Sequence, residues 1–318
     1  MFSKPPLPYV VGGALHLQAH EPPPPVKFDP WSAAKIFEER RSVDPLDLCL
    51  RHPPSKGTKL QSTANVQIVR QLRAGDRCRA QIVAIRATPS SSHTLPSDKH
   101  LVAKIYDPMY FDDNDDSDPF LLSDVTYTHE AAAYKQLSAL QGSSIAKYFG
   151  SFTTTWPDKQ RRRLVRLVLI ELLPGRAMDQ LTGLPRSPRQ SIMKKVIDAE
   201  TDIYTHNITH KDLRPANIMV DLDGHKVKRI VMIDFGLCKL KRIDHPSLQA
   251  QYLPGVPISP LLMWRVRRTE FDGFVDWDWT PWLHHVYKST EATITDHMRE
   301  IWGGETAPSF KLCQKPPP

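Results

Sequence analysis

Two short segments carry residues whose types and spacing could do chemistry. His210-Lys-Asp-Leu-Arg-Pro-Ala-Asn217 and Ile233-Asp-Phe-Gly236 set three metal- or proton-handling groups, Asp212, Asn217 and Asp234, in a fixed order on two short loops. Carboxylate and carboxamide oxygens are hard ligands that suit magnesium. Such groups act only when held rigidly, and the lead-ins supply that: Ile208 before one loop and Ile230-Val-Met-Ile233 before the other read as short strands. Asp221-Leu-Asp-Gly224 between them reads as the turn of a hairpin. Each motif alone is weak, because an isolated His-x-Asp or Asp-Phe-Gly usually marks a turn beside a capped helix.

Taken together they resemble the protein-kinase signature, H-R-D-L-x-x-x-N followed by D-F-G, with Lys211 in place of the Arg and the second motif complete. The resemblance implies transfer of the ATP γ-phosphate to a hydroxyl, chemistry that needs positioning and charge neutralisation more than covalent steps. It implies Asp212 as the base, Asn217 and Asp234 as holders of Mg2+, and Arg214 as a catalytic cation where protein kinases commonly carry Lys. Leu101-Val-Ala-Lys-Ile105 is similar to the strand bearing the nucleotide-phosphate lysine, so Lys104 is the candidate and Glu130 its ion-pair partner. The plainer reading of Lys104, an edge-strand solubility residue, is disfavoured by its neighbours Val102 and Ile105. Ile170-Glu171-Leu172-Leu173 resembles the hinge that binds adenine through its backbone, giving Glu171 and Leu173 as candidates with Ile170 bordering the pocket. Asp179 would reach the ribose, although a helix N-cap explains it equally well.

The phosphate-cradling loop departs most from the family pattern. Protein kinases use G-x-G-x-x-G, and Leu72-Arg-Ala-Gly-Asp-Arg-Cys-Arg-Ala80 offers only Gly75, with Arg73, Arg77 and Arg79 as electrostatic substitutes or as plain strand-end charges. Lys211 keeps the charge of an Arg but not its bidentate grip, so activation by loop phosphorylation is not expected. No A-P-E motif follows Gly236; Pro254-Gly-Val-Pro-Ile-Ser-Pro260 leads instead to Trp264 and Trp277-Asp-Trp-Thr-Pro-Trp282, which reads as core packing. The shortened tail resembles that of fungal protein-kinase-like proteins. Two alternatives stand beside a protein Ser/Thr phosphotransferase: a pseudokinase scaffold or nucleotide-binding module with little or no turnover, and a small-molecule kinase, against which Leu213, Pro215 and the intact Asp-Phe-Gly speak.

The implied fold class is α+β, a two-lobed protein-kinase-like fold with an antiparallel-sheet N-lobe holding one key helix and a helical, shortened C-lobe. Val66 to Leu72, Ala80 to Ile85 and Leu101 to Tyr106 read as successive strands, with a turn-rich loop from Thr88 to Lys99. The acidic run Asp112, Asp113, Asp115, Asp116 and Asp118 reads as a solvated loop. Thr128 to Leu140 then reads as a helix ending at Gly142, with Glu130 on the apolar face of Ala133, Leu137 and Leu140. Leu164 to Leu173 reads as a strand buried on both faces that stops at Pro174-Gly175, and Ile192, Val196, Ala199 and Ile203 mark a second helix. Residues 1–60, with Pro22 to Pro25 and Pro53-Pro54, read as a Pro-rich extension, apart from a short helix around Trp31 to Arg41. The expected division is therefore 1–60 extension, 61–173 N-lobe and 174–318 C-lobe with an atypical Trp-rich tail.

Composition is ordinary for a globular chain, with 40% hydrophobic and 24% charged residues among 318. No apolar run approaches a membrane span and the start does not read as a secretory signal, so the expected setting is cytoplasmic or nuclear, without membrane. Cys49, Cys78, Cys238 and Cys313 have no metal spacing and read as free thiols. The net charge of +7 is spread over short clusters such as Lys159 to Arg163, which makes nucleic acid an improbable partner. ATP is the expected ligand; the protein substrate or partner and the oligomeric state stay open.

Overall fold

The computed structural model describes residues 4–88, 95–112, 115–158, 161–266 and 269–304. Parts of the Thr88 to Lys99 loop, Asp113, Lys159 and Cys313 lie outside them. The chain divides into two compact units, residues 1–135 with 147–172, and residues 136–146 with 173–318.

The first unit is built on a closed antiparallel barrel. Its strands are β1 (Ala14–Glu21), β2 (Thr58–Arg73), β3 (Gln81–Ala87), β4 (Leu101–Tyr106), β5 (Tyr148–Asp158) and β6 (Arg161–Glu171), in spatial order β1-β2-β3-β4-β6-β5. Period-two alternation turns Leu15, Leu17 and Ala19 of β1 and Ala64, Val66 and Ile68 of β2 inward. All six residues of β4 are buried, the charged Lys104 among them. Two short helices, α1 (Ser32–Ser42) and α2 (Pro45–Arg51), lie between β1 and β2, and α3 (Pro119–Gln136) follows β4.

Three expectations change here. The N-terminal sixty residues are not an arm, because β1 pairs with β2 from Ala14↔Gln67 onward and with β5 through Gln18↔Thr153, which closes the barrel. Tyr9 is fully buried beside them. The helix read as Thr128 to Leu140 begins nine residues earlier and ends at Gln136. Its start is set by Asp118, whose side chain accepts from the N–H groups of Phe120 (2.9 Å) and Leu121 (3.1 Å), with Pro119 at the first helical position. The last residue of the acidic run is thus a helix cap rather than loop solvation.

The second unit holds a three-stranded sheet of β7 (Arg176–Ala177), β8 (Ile218–Asp223) and β9 (Lys226–Met232), with helices α4 (Arg186–Thr205), α5 (Pro260–Met263), α6 (Trp279–Tyr287) and α7 (Asp296–Trp302). Ile192, Val196, Ala199 and Ile203 of α4 are all buried, as their helical spacing requires. The β8–β9 turn falls at Gly224, whose φ of +56° is the left-handed conformation that favours glycine. Trp264, Trp277, Trp279 and Trp302 are buried, and the Trp279 indole N–H donates to the Trp264 carbonyl at 2.9 Å. The aromatic cluster is therefore core. No helix among the described residues is long and apolar enough to cross a membrane.

Candidate active site

In the first unit the sequence-derived pair forms. Lys104 on β4 and Glu130 on α3 make an ion pair with side chains 8% and 1% exposed. The carboxylate oxygen that takes the ammonium also accepts from the Tyr106 hydroxyl at 2.6 Å, and the ammonium lies 5.7 Å from the Tyr106 ring centroid. Tyr106 was not singled out by the motif. Strand periodicity is the signal for it, because residues two apart project from the same face.

The loop between β2 and β3 is held by polar contacts of its own. The Gln81 carboxamide clamps Gly75 from both sides, accepting its N–H at 2.8 Å and donating to its carbonyl at 2.8 Å. Of the three arginines offered as phosphate partners, Arg79 pairs with Asp115 at 2.8 Å and Arg77 approaches Asp112 at 4.0 Å. At the end of β6, the Glu171 N–H donates to the Lys147 carbonyl at 2.9 Å and the Glu171 carboxylate accepts from the Lys147 N–H at 3.1 Å. The Glu171 amide is thus already engaged within the unit.

In the second unit Asp212, Asn217 and Arg214 are brought together. The Asn217 side-chain N–H groups donate to the main-chain oxygen of Asp212 (2.9 Å) and to its carboxylate (2.8 Å). That directs the carboxamide oxygen Oδ1 away from Asp212 as an acceptor, the kind of hard-oxygen donor a Mg2+ site needs. Arg214 Nε stands 3.3 Å from the other Asp212 oxygen, with its side chain 53% exposed. One side-chain and one backbone bond staple this loop to the Asp-Phe-Gly segment: His210 Nε2 bonds the Ile233 carbonyl at 2.9 Å, and the Ile233 N–H donates to the Asn217 carbonyl at 3.0 Å. Phe235 is fully buried, its ring 4.8 Å from that of His210.

Lys211 and Asp234 adopt φ values of +64° and +67°. Left-handed backbone at a non-glycine residue costs on the order of 1–3 kcal/mol and persists where the surroundings over-determine it. Here the His210, Ile233 and Asn217 bonds do so on either side. Leu173 is half-buried and Asp179 is exposed. Asp179 lies within a 3-10 turn, Met178–Gln180, whose N-cap is Ala177, so the alternative reading of Asp179 as a helix cap does not hold.

Residues 115–252 match the family model described as protein kinase domain. The match takes in Glu130, the 170–173 segment and both motif loops, and begins after Lys104 and Gly75. The human serine/threonine-protein kinase Sgk1 is 36% identical over 77 residues, 24% of this chain and 16% of that protein. The Caenorhabditis elegans kinase suppressor of Ras A is 32% identical over 89 residues, 27% of this chain and 11% of that protein. The chain thus spans under a fifth of the length of these curated relatives. Among solved structures, the Cydia pomonella granulovirus kinase PK-1 aligns with a TM-score of 0.36 at 15% identity, covering 63% of this chain and 56% of that one.

Proposed function

Of this chain, which is protein-kinase-like over the matched stretch, we propose that it is an ATP-dependent phosphotransferase acting on a hydroxyl acceptor, a protein Ser or Thr being the acceptor class the resemblance implies. The observation that carries the reading is the staple between the two motif loops, in which His210 and Asn217 fix the backbone immediately before Asp234.

In this reading Mg2+·ATP supplies the transferable phosphoryl group and the charge neutralisation it needs. Asn217 through Oδ1 and Asp234 would hold the ion. Asp212 orients the acceptor hydroxyl and takes its proton, while Asn217 fixes the Asp212 carboxylate by donating to it. Arg214 stands beside the same carboxylate, its Nε 3.3 Å from the other oxygen. Lys104, positioned by Glu130 and Tyr106, binds nucleotide phosphate. Because the Glu171 N–H is engaged with Lys147, adenine recognition falls to the Glu171 carbonyl and the Leu173 backbone; Asp179 is the ribose candidate. The first unit then serves as the nucleotide-lysine lobe and the second as the carboxylate lobe. The proposed setting is cytoplasmic or nuclear.

Purified protein given radiolabelled ATP and Mg2+ is expected to label itself or turn ATP over, and Asp212→Ala to abolish this. Turnover that survives Asp212→Ala would overturn the assignment. A second reading, a scaffold with little turnover, draws support from the Gln81 clamp on Gly75 and the carboxylates facing Arg77 and Arg79, which engage the groups a phosphate would use. It predicts a folded protein that shows no turnover and whose melting temperature Mg2+·ATP does not move.

A further inference from the structure

A cavity of the first unit lies apart from the Lys104–Glu130 pair, neither of which lines it. It encloses about 460 Å³ on the barrel wall where β1 meets β5, with Lys56, Lys59 and Arg166 among its lining residues together with His20 and Leu164. No acidic residue lines it. Lys56 and Lys59 are exposed. Arg166 is only 7% exposed, and its guanidinium donates to the Thr153 hydroxyl and to the Ser55 carbonyl (2.9 Å), both neutral acceptors. Its Nε is buried without a hydrogen-bond partner. A buried cation is expensive unless a counter-charge compensates it.

The acids nearest the cavity are engaged elsewhere. Asp124 accepts from the Ser55 N–H and hydroxyl at 2.9 and 2.6 Å, and Glu21 pairs with Lys135. Asp124 keeps its charge and offsets part of that of Arg166, while no acid in the lining faces Lys56 and Lys59, so the wall carries a net positive field. His20, 5% exposed, reports that field: burial first and then Arg166 push its pKa down to about 4, with Lys135 adding to the effect and Glu21 opposing it. Its Nδ1 bonds the Tyr127 hydroxyl at 2.7 Å. Gly57 keeps the wall closed, since a Cβ there would stand 2.2 Å from the Glu21 carbonyl oxygen and 2.5 Å from His20 Nε2.

We propose that this cavity binds a small organic phosphomonoester, its phosphate between Lys56 and Lys59 over the positive floor set by Arg166, and its apolar body against Leu164. Two exposed lysines with no acid in the lining, above an arginine whose charge Asp124 only partly offsets, call for a dianion rather than a single carboxylate. The volume exceeds that of inorganic phosphate several times over, and Leu164, an apolar side chain 42% exposed on the cavity wall, gives the organic part a surface to cover.

The test is calorimetric titration of the full chain at low salt with phenyl phosphate, and with inorganic phosphate and benzyl alcohol as part-ligands. Phenyl phosphate is expected to bind about threefold or more tighter than inorganic phosphate, since burying even part of a phenyl ring is worth that much. Benzyl alcohol should give no heat. The double charge reversal Lys56→Glu/Lys59→Glu, at exposed positions that leave the fold intact, should weaken phenyl phosphate by about tenfold or more. In the wild type, ligand should also raise the His20 pKa, read from its imidazole resonances. Absence of binding, binding unchanged by the charge reversal, or equal affinity for phosphate and phenyl phosphate would each overturn the proposal.

Discussion

Replacing Lys104 with Met tests whether the ion pair at the centre of the first unit is as dry as its geometry implies. The Lys104 and Glu130 side chains are 8% and 1% exposed, so removing the ammonium strands a carboxylate where water hardly reaches. An exposed pair would be worth about 0–1 kcal/mol. Breaking a buried pair by deleting one partner costs about 3–5 kcal/mol, because the remaining charge is uncompensated. Tyr106 still donates to Glu130 at 2.6 Å and softens the loss, so the lower end of that range, about 3 kcal/mol, is expected for Lys104→Met. Glu130→Gln in the same background removes the stranded charge and should recover most of the deficit. The assay is urea unfolding of wild type, both single variants and the double variant, from which the coupling energy of the pair follows. A Lys104→Met protein within about 0.5 kcal/mol of wild type would refute the reasoning. The outcome also governs how activity data are read, since a Lys104→Met enzyme could lose activity through its fold; Lys104→Arg, which keeps the charge, separates the two effects.

Tyr9→Phe deletes the hydroxyl that donates to the fully buried Asp107 carboxylate at 2.5 Å, and should lower unfolding free energy by about 1.5–3 kcal/mol, measured by chemical denaturation. The depressed pKa of His20 sets a pH dependence: the native state keeps it neutral down to about pH 4 while the unfolded chain protonates near its ordinary value. The unfolded state therefore binds more protons between those values, and stability falls as pH drops through that window by at most about 3 kcal/mol. His20→Gln should flatten the acid limb of a plot of stability against pH; an unchanged slope would mean that other groups set it. Gln81→Ala releases the Gly75 N–H and carbonyl, and is expected to tighten ADP binding in a fluorescence titration if that loop covers phosphate.

What could be read from the residues was whatever local pattern decides. The run Leu101 to Tyr106 reads as a strand and is one, and the inward carboxylate of Glu130 on an apolar helix face called for a partner, which Lys104 supplies. The motif loops were legible because their side chains define them. The start of α3 was missed although its signal, Asp118 before Pro119, is a capping residue followed by proline at the first helical position; the surrounding aspartates masked it as loop. β1 was missed for a related reason, since Leu15, Leu17 and Ala19 alternate properly but stand among prolines and glycines that read as irregular chain. The Gln81 clamp on Gly75 and the Arg166 floor of the cavity could not be read at all, because each depends on residues brought together by barrel register.

The segment before β2 has a larger part in the candidate chemistry than its composition suggests. Lys104 can act on a nucleotide only if β4 holds still, and the chain immediately after that strand is anchored at Asp107. Both Asp107 oxygens pair with the Arg163 guanidinium; the one held at 2.9 Å also accepts from Tyr9, and the other takes the Met109 N–H at 3.2 Å. Burial first and then the Asp107 carboxylate push the Tyr9 pKa up against the opposing pull of Arg163, while Asp107 outweighs the effect of burial on Arg163 and raises its pKa. A few residues earlier Lys4 reaches both the Phe111 carbonyl (2.6 Å) and Asp76 (2.8 Å), tying the N-terminal chain to the loop that carries Gly75. The stretch from Lys4 to Tyr9 thus fixes the far end of the Lys104 strand and the base of the glycine loop at once. Removal of that stretch is expected to act on nucleotide affinity as well as on stability, although none of its residues stands among the candidate catalytic groups.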